Sequence, residues 1–183
     1  MKTLIINGSP RKNGDTASLL KEMKNHLKGE ITKISTYYDN VSPCIDCRYC
    51  WENGACCIKD DMDLIYNADF DNLVIVSPLH YSIFSGPLLN LAGRLQVYAP
   101  QVNRGLTKTL KAKNGGLIIV GGGNGTPSKA IDLANVIFRR VNATYTDGDT
   151  IFSLKTDEVP ASKDRIALAK VKQLAHKLNS SGK

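Results

Sequence analysis

Three stretches of this chain are apolar without interruption: Leu4-Ile5-Ile6, Leu73-Val74-Ile75-Val76 and Leu117-Ile118-Ile119-Val120. A strand with one wet face alternates apolar and polar side chains, so an unbroken run means that both faces are covered, the condition of a parallel sheet. Each run ends in a loop of glycine, serine or proline, and each loop opens a segment of helical period. Thr16, Leu19, Leu20, Met23 and Leu27 form the first stripe, with Asp15 placed to cap it. Leu88, Leu91, Ala92 and Leu95 form the second, with Pro87 in its first turn. The third is Ala130, Ala134, Ile137 and Val141, with Thr126 as cap and Pro127 as a first helical residue. Weaker strand patterns over 31–34 and 144–154 and a last helix over 162–178 complete an alternation of β and α units. That order predicts an α/β fold, a doubly wound five-stranded parallel sheet with helices on both faces. In such sheets ligands lie beyond the carboxyl ends of the strands.

A chain of 183 residues predicts a single domain over 1–183, large enough to bury a core without metal or disulfide support. The long irregular stretch at 38–60 stands out, since loops of that length inside a compact domain are usually functional. No apolar run approaches the ~20 residues that span a bilayer, and Lys2 is not followed by the apolar core of a signal peptide. The expectation is a soluble, cytoplasmic protein with no membrane contact. The net charge of +7 permits an acidic partner. Lys21, Lys24, Lys28, Lys163, Lys170 and Lys177 fall on outer helix faces, where solvation is the ordinary explanation. No RNA-recognition, zinc-finger or basic-helix pattern accompanies them, which argues against nucleic acid.

The loop after the first run reads NGSPRKNGDT. Five residues separate Gly8 from Gly14 and Asp15-Thr16 follows, so it is not a Walker A loop; it also lacks the glycines of a dinucleotide fingerprint. Its amides, the hydroxyls of Ser9, Thr16 and Ser18, the Arg11 guanidinium and the positive end of the following helix suit a phosphate. Taken alone, the loop leaves a plain βα turn with a solvent-facing arginine equally open.

The second loop, SPLHYSIFSGPLLNLAGR, decides between them. With the first it strongly resembles the flavodoxin-like NAD(P)H-dependent FMN reductases, with Pro78, Tyr81, Ser85, Leu88 and Arg94 at matching spacing. GGGNG stands where that family lines the flavin ring, and SLKTDEVPA resembles the segment after its last strand. The resemblance implies strand order 2-1-3-4-5 with FMN at the switch point. It implies cofactor contacts from Ser9, Arg11, Asn13, Thr16, Ala17 and Ser18, from Pro78, Leu79, His80, Tyr81 and Ser82, and from Gly122, Gly123 and Asn124. Asp15 replaces the usual Asn, His80 the usual Tyr and Gly93 the usual Asp. A loop histidine is first a polar contact, and flavin chemistry needs no protein nucleophile, so no catalytic side chain is assigned. NAD(P)H as electron donor, an unspecified acceptor and a homodimer or homotetramer are what the resemblance implies.

Cys44, Cys47, Cys50 and Cys56 stand as C-x2-C-x2-C-x5-C, with Cys57 left over. An odd number of cysteines crowded into one loop argues against structural disulfides. Four thiolates in so short a span can surround a [4Fe-4S] cluster or a zinc ion, or stand as free or redox-active thiols. The spacing also resembles that of the iron-sulfur flavoproteins, in which a cluster relays electrons to FMN. Trp51 reads as an anchor for this loop, and Asp60 or Asp61 as a cap for the next helix. Three functions compete: an FMN-dependent NAD(P)H oxidoreductase, an iron-sulfur electron carrier serving a ferredoxin-like partner, and a flavin-sensing regulator or nucleic-acid binder that uses the basic surface.

Overall fold

The computed structural model describes residues 1–66, 69–99, 105 and 110–180. In chain order its elements are β1 (Lys2–Asn7), α1 (Asp15–His26), β2 (Glu30–Ser35), α2 (Tyr49–Asn53), α3 (Asp63–Tyr66), β3 (Asn72–Pro78) and α4 (Gly86–Arg94). β4 (Lys113–Gly121), α5 (Ser128–Arg140), β5 (Ala143–Thr144), β6 (Thr150–Leu154) and α6 (Arg165–Ser180) follow. The sheet runs β2-β1-β3-β4-β5 with every pairing parallel, the expected 2-1-3-4-5 order.

The unbroken apolar runs have a direct cause in this architecture. Leu4, Ile6, Leu73, Ile75, Leu117 and Ile119 point to one face, where Phe84, Leu88, Leu91, Ala134, Ile137 and Phe138 from α4, α5 and their leading turns cover them. Ile5, Val74, Val76, Ile118 and Val120 point to the other, under Leu19, Leu20 and Met23 of α1 and Val171, Leu174 and Leu178 of α6. Each fully buried aliphatic side chain contributes about 1.5–3 kcal/mol, so both faces are driven inward.

The fifth position differs from the single strand expected over 144–154. β5 pairs with β4 at Lys113 and Asn114, and β6 pairs with it from Leu117 to Gly121. Between them a 3-10 turn at Asp147–Asp149 is locked by a capping box, in which Asp149 accepts the Thr146 N–H and hydroxyl at 3.0 and 2.7 Å. Pro87 lies in the first turn of α4 as expected. Thr126 stands two residues before α5 and accepts the Ser128 N–H at 3.5 Å, while Pro127 takes the cap position itself. Among the described residues no helix is long and apolar enough to cross a membrane.

Candidate functional site

The first loop leaves β1 under tight control. Gly8 donates its N–H to Val76 O at 2.8 Å and accepts the Ser85 hydroxyl at 2.7 Å, which joins the first loop to the second. A Cβ on Gly8 would stand 2.9 Å from Ser77 Oγ, so only glycine fits against β3. Ser9 donates its N–H to Asn7 Oδ1 at 3.1 Å, and its Oγ accepts the Arg11 N–H at 3.2 Å. These bonds curl the loop over the start of α1.

Asp15 does not cap α1. Its Oδ1 accepts the Ala161 N–H at 2.8 Å, from the turn after β6, and Gly14 holds the cap position with no side chain bonded to the helix end. The first amides of a helix have no partner within it. In α1 they are left open beside Ser9, Arg11 and Thr16, an arrangement suited to an anion. Ser18, by contrast, turns its hydroxyl back onto Gly14 O at 3.3 Å.

The second loop is a hairpin turn in which His80 and Ile83 exchange N–H···O bonds of 2.9 and 3.1 Å. Its central residues, Tyr81 and Ser82, have φ of 52° and 64°. Two successive non-glycine residues in the left-handed region are uncommon, though positive φ at both positions suits a two-residue hairpin, and Tyr81 stands fully exposed at the tip. The third loop returns from β4 and is clamped by the segment after β6: Thr156 and Asp157 donate their N–H groups to Gly121 O and Gly122 O at 2.9 and 3.2 Å. The Asp157 carboxylate crosses Gly122 so closely that a Cβ there would stand 2.7 Å from Oδ2.

Together these segments enclose a cleft of about 290 Å³ at the carboxyl ends of β1, β3 and β4. Of the residues expected to contact a cofactor, Ser9, Arg11, Thr16, Pro78, Leu79, His80 and Gly122 line it. Asn13, Ala17, Ser18, Tyr81, Ser82, Gly123 and Asn124 lie outside its wall, Tyr81 at the hairpin tip and Ala17 on a separate hollow. Sequence reasoning missed Thr156 and Asp157; the signal was TDE directly behind the last strand pattern, facing a glycine loop.

The cysteine segment is held at both ends by one buried clasp. Arg94, at the end of α4, donates through one terminal nitrogen to Ser42 O and Asp60 Oδ2 at 2.8 and 2.7 Å, and through the other to Ile58 O and Asp60 Oδ1 at 3.3 and 3.2 Å. Both charged side chains are 1% exposed. Asp60 also accepts the Ser42 and Met62 N–H groups at 2.9 and 3.1 Å. Asp61 accepts the Asn40 N–H at 2.7 Å. The expected cap of the following helix is therefore only part of Asp60's role, because the guanidinium of Arg94 is its main partner. Burial pushes the Asp60 carboxyl up, but the bonds from Arg94, Ser42 and Met62 outweigh it and hold the group below the usual carboxylate range.

Between the clasped ends, Cys44, Cys47, Cys50, Cys56 and Cys57 all line one small hollow that also reaches Arg94 and Trp51. Cys47 and Cys57 have their sulfur atoms 3.2 Å apart. The Tyr49 backbone, then the Cys57 thiol, hold Cys47 below the ordinary thiol range, whereas burial pushes Cys50 up. Arg94 Nε is buried without a hydrogen-bond partner. Five thiols beside an unpaired donor suit a sulfur-rich group. As arranged they do not enclose one, since among the described residues no three Cys, His, Asp or Glu side chains converge on a single ion.

A family model described as NADPH-dependent FMN reductase matches residues 1–157. An iron-sulfur flavoprotein of Archaeoglobus fulgidus is 28% identical over 144 residues, which cover 76% of this chain and 63% of that protein; the chain thus spans less than two thirds of that relative's length. Among solved structures, an NAD(P)H:quinone oxidoreductase from Methanothermobacter marburgensis matches with a TM-score of 0.69 at 13% identity, over 97% of this chain and 96% of that one. An FMN-dependent NADH-azoreductase from Bacillus anthracis, in complex with FMN, matches with a TM-score of 0.65 at 19% identity, over 98% and 100%. At these identities the two structures establish a shared fold. The family model covers the phosphate-type loop, the hairpin and the glycine loop that together form the cleft, and the chain belongs to the NADPH-dependent FMN reductase family.

Proposed function

We propose that this chain is an FMN-dependent oxidoreductase that takes electrons from a nicotinamide nucleotide and passes them to a small-molecule or protein acceptor. The observation that carries the reading is the open end of α1. Asp15, itself on the cleft wall, is held by the Ala161 N–H and does not cap the helix, so the helix amides stay available beside Ser9, Arg11 and Thr16, where a flavin phosphate would be held. Family membership supports the same cofactor.

Bound FMN supplies hydride acceptance from the nicotinamide and release of electrons singly or in pairs. The chain's own residues bind and orient. Gly122 with the Asp157 carboxylate across it, and Pro78, Leu79 and Val120, line the cleft, and Tyr81 at the tip of the adjoining hairpin offers an exposed aromatic face that a planar ring would cover. No side chain is assigned a proton transfer. The cytoplasmic homodimer or homotetramer implied by the family resemblance belongs to this reading.

Anaerobic mixing of the flavin-loaded protein with NADPH or NADH is expected to bleach the oxidised flavin within seconds. A yellow colour that persists with both nucleotides, while dithionite removes it at once, moves the protein to the electron carriers.

A second reading, an iron-sulfur electron carrier, is supported by the spacing of Cys44, Cys47, Cys50 and Cys56 and by the name of the Archaeoglobus relative. On this reading, anaerobic reconstitution gives about four irons per chain, and Cys47→Ser loses them while Cys57→Ser keeps them. Iron-free protein with full flavin after reconstitution removes the cluster.

A further inference from the structure

A hollow of about 580 Å³ adjoins the cleft, between α1 and β2. It follows from where α1 lies. That helix packs its apolar side on the centre of the sheet and on α6, so β2, an edge strand, is left partly uncovered. In register with Ile5 of β1 and Val74 of β3, both fully buried on this face, β2 carries Lys33. A lysine is not packed under a helix without a partner, and the space beside it stays open. Arg11, Lys12, Lys21, Lys24 and Lys33 line that space. Asp39, whose carboxylate accepts the Ser35 N–H at 2.6 Å, is the one acidic residue on the wall among the described residues.

Among the described residues Arg11 alone lines both the hollow and the cleft, so the two spaces meet on the phosphate side of the cleft. A group reaching from one to the other passes the flavin's phosphate, not its ring. A second link is Tyr38, on the wall of the hollow, whose hydroxyl donates to the carbonyl of Pro10 on the wall of the cleft. The tethered ring is exposed, with Lys12 Nζ 4.8 Å from its centroid. Burial, and then the Lys33 ammonium, hold Lys24 below the ordinary lysine range, so these cations lie close enough to repel, and an anion between them would relieve it. The wall thus offers cations for a phosphate, a ring on which a base can stack and, in Asn25, an amide that can pair with a base edge. Its volume lies in the range of ~300–1,000 Å³ usual for small-molecule sites.

We propose that this hollow receives the adenylate half of FAD, so that the protein binds FAD more tightly than FMN. The inference rests on the placing of the flavin phosphate beside Ser9, Arg11 and Thr16. FAD is FMN joined through its phosphate to the phosphate of AMP, so a site for it needs a second anion position next to the first, followed by room for a ribose and a purine. Arg11 stands where the two spaces meet, and a planar guanidinium with several donors suits adjoining phosphates. The lysines beyond it supply the remaining charge, and Tyr38 supplies the stacking face. Both flavins carry the same ring, so the electron transfer proposed above is unchanged.

The test is titration of the flavin-free protein with FMN and with FAD, in wild type and in a Lys21→Gln/Lys24→Gln/Lys33→Gln variant. All three lysines are exposed and none lines the cleft, so the variant keeps its core and its phosphate loop. Wild type is expected to bind FAD about tenfold more tightly than FMN, an advantage that shrinks as salt rises. The variant should lose that advantage while its FMN affinity stays within about twofold of wild type. Calorimetry with 5′-AMP reads the hollow without the flavin ring: 5′-AMP should bind FMN-loaded wild type and be excluded from FAD-loaded wild type. FAD bound no more tightly than FMN, an FAD affinity unmoved by the three substitutions, or equal behaviour of the two loaded forms toward 5′-AMP overturns the proposal and leaves the flavin site standing. If the flavin-free protein takes up neither flavin, the flavin reading itself falls, and this proposal with it.

Discussion

Arg94→Ala is expected to lower the stability of the folded chain by about 3–5 kcal/mol, because it leaves the Asp60 carboxylate buried without its partner. The loss should be uneven. Arg94 holds Ser42, Ile58 and Asp60 together, so residues 42–58 are expected to become protease-sensitive under conditions in which the two-faced core remains intact. Denaturant unfolding combined with limited proteolysis reads both effects. Removing the two charges together, as Asp60→Ala/Arg94→Ala, should cost less than the sum of the single changes, since neither ion is then stranded. The pH dependence has a definite sign. A carboxylate whose folded value lies below its unfolded one contributes stability above the unfolded value, and the contribution disappears as pH falls through the folded value. Anchorage of the cysteine segment should therefore be constant near neutrality and weaken only below about pH 4. An Arg94→Ala protein with wild-type stability and protease resistance would mean that the clasp carries no net energy.

Arg11→Ala is expected to weaken FMN binding by roughly tenfold to a hundredfold, the equivalent of a charge-assisted hydrogen bond of about 1.5–3 kcal/mol. Arg11 stands at the lip of the cleft, exposed, with its backbone N–H fixed by Ser9 Oγ. The loop should keep its shape, since the bonds that form it run through Asn7, Gly8, Ser9 and Ser85. Flavin titration of the apoprotein measures the effect, and unchanged affinity would remove Arg11 from the phosphate site. The same titration at raised ionic strength should narrow the gap between variant and wild type, because an exposed guanidinium is screened.

The sheet was legible in the sequence because burial on two faces leaves an unmistakable trace: Ile5 and Ile6 must both be apolar if one meets α1 and the other lies on the α4 side. The stripe from Thr16 to Leu27 was legible for the equivalent helical reason, and all five of its residues are buried. What escaped is what depends on distant partners. Asp15 has the chemistry of a helix cap, and local reasoning assigns it one, yet its oxygen is taken by Ala161, 146 residues away. Asp60 and Arg94 carry opposite charges in segments with no pattern linking them, so the clasp becomes visible only once α4 lies beside the loop. The fifth strand was read as continuous because nothing in its period announces the capping box at Thr146 and Asp149 that divides it. Within the cleft, strand ends and glycines were readable, whereas Asp157 was not, since a carboxylate behind a strand has many ordinary uses.

The clasp at Arg94 also bears on how this region can change over evolutionary time. With Ser42 and Ile58 fastened to the same guanidinium, the chain between them is a closed ring whose ends stay fixed whatever its contents. The entropy of closing such a ring grows only with the logarithm of its length, about 0.6 kcal/mol for each doubling. Residues can be added to or removed from this ring, and its cysteines gained or lost, at small cost to the sheet and without moving the loops that form the cleft.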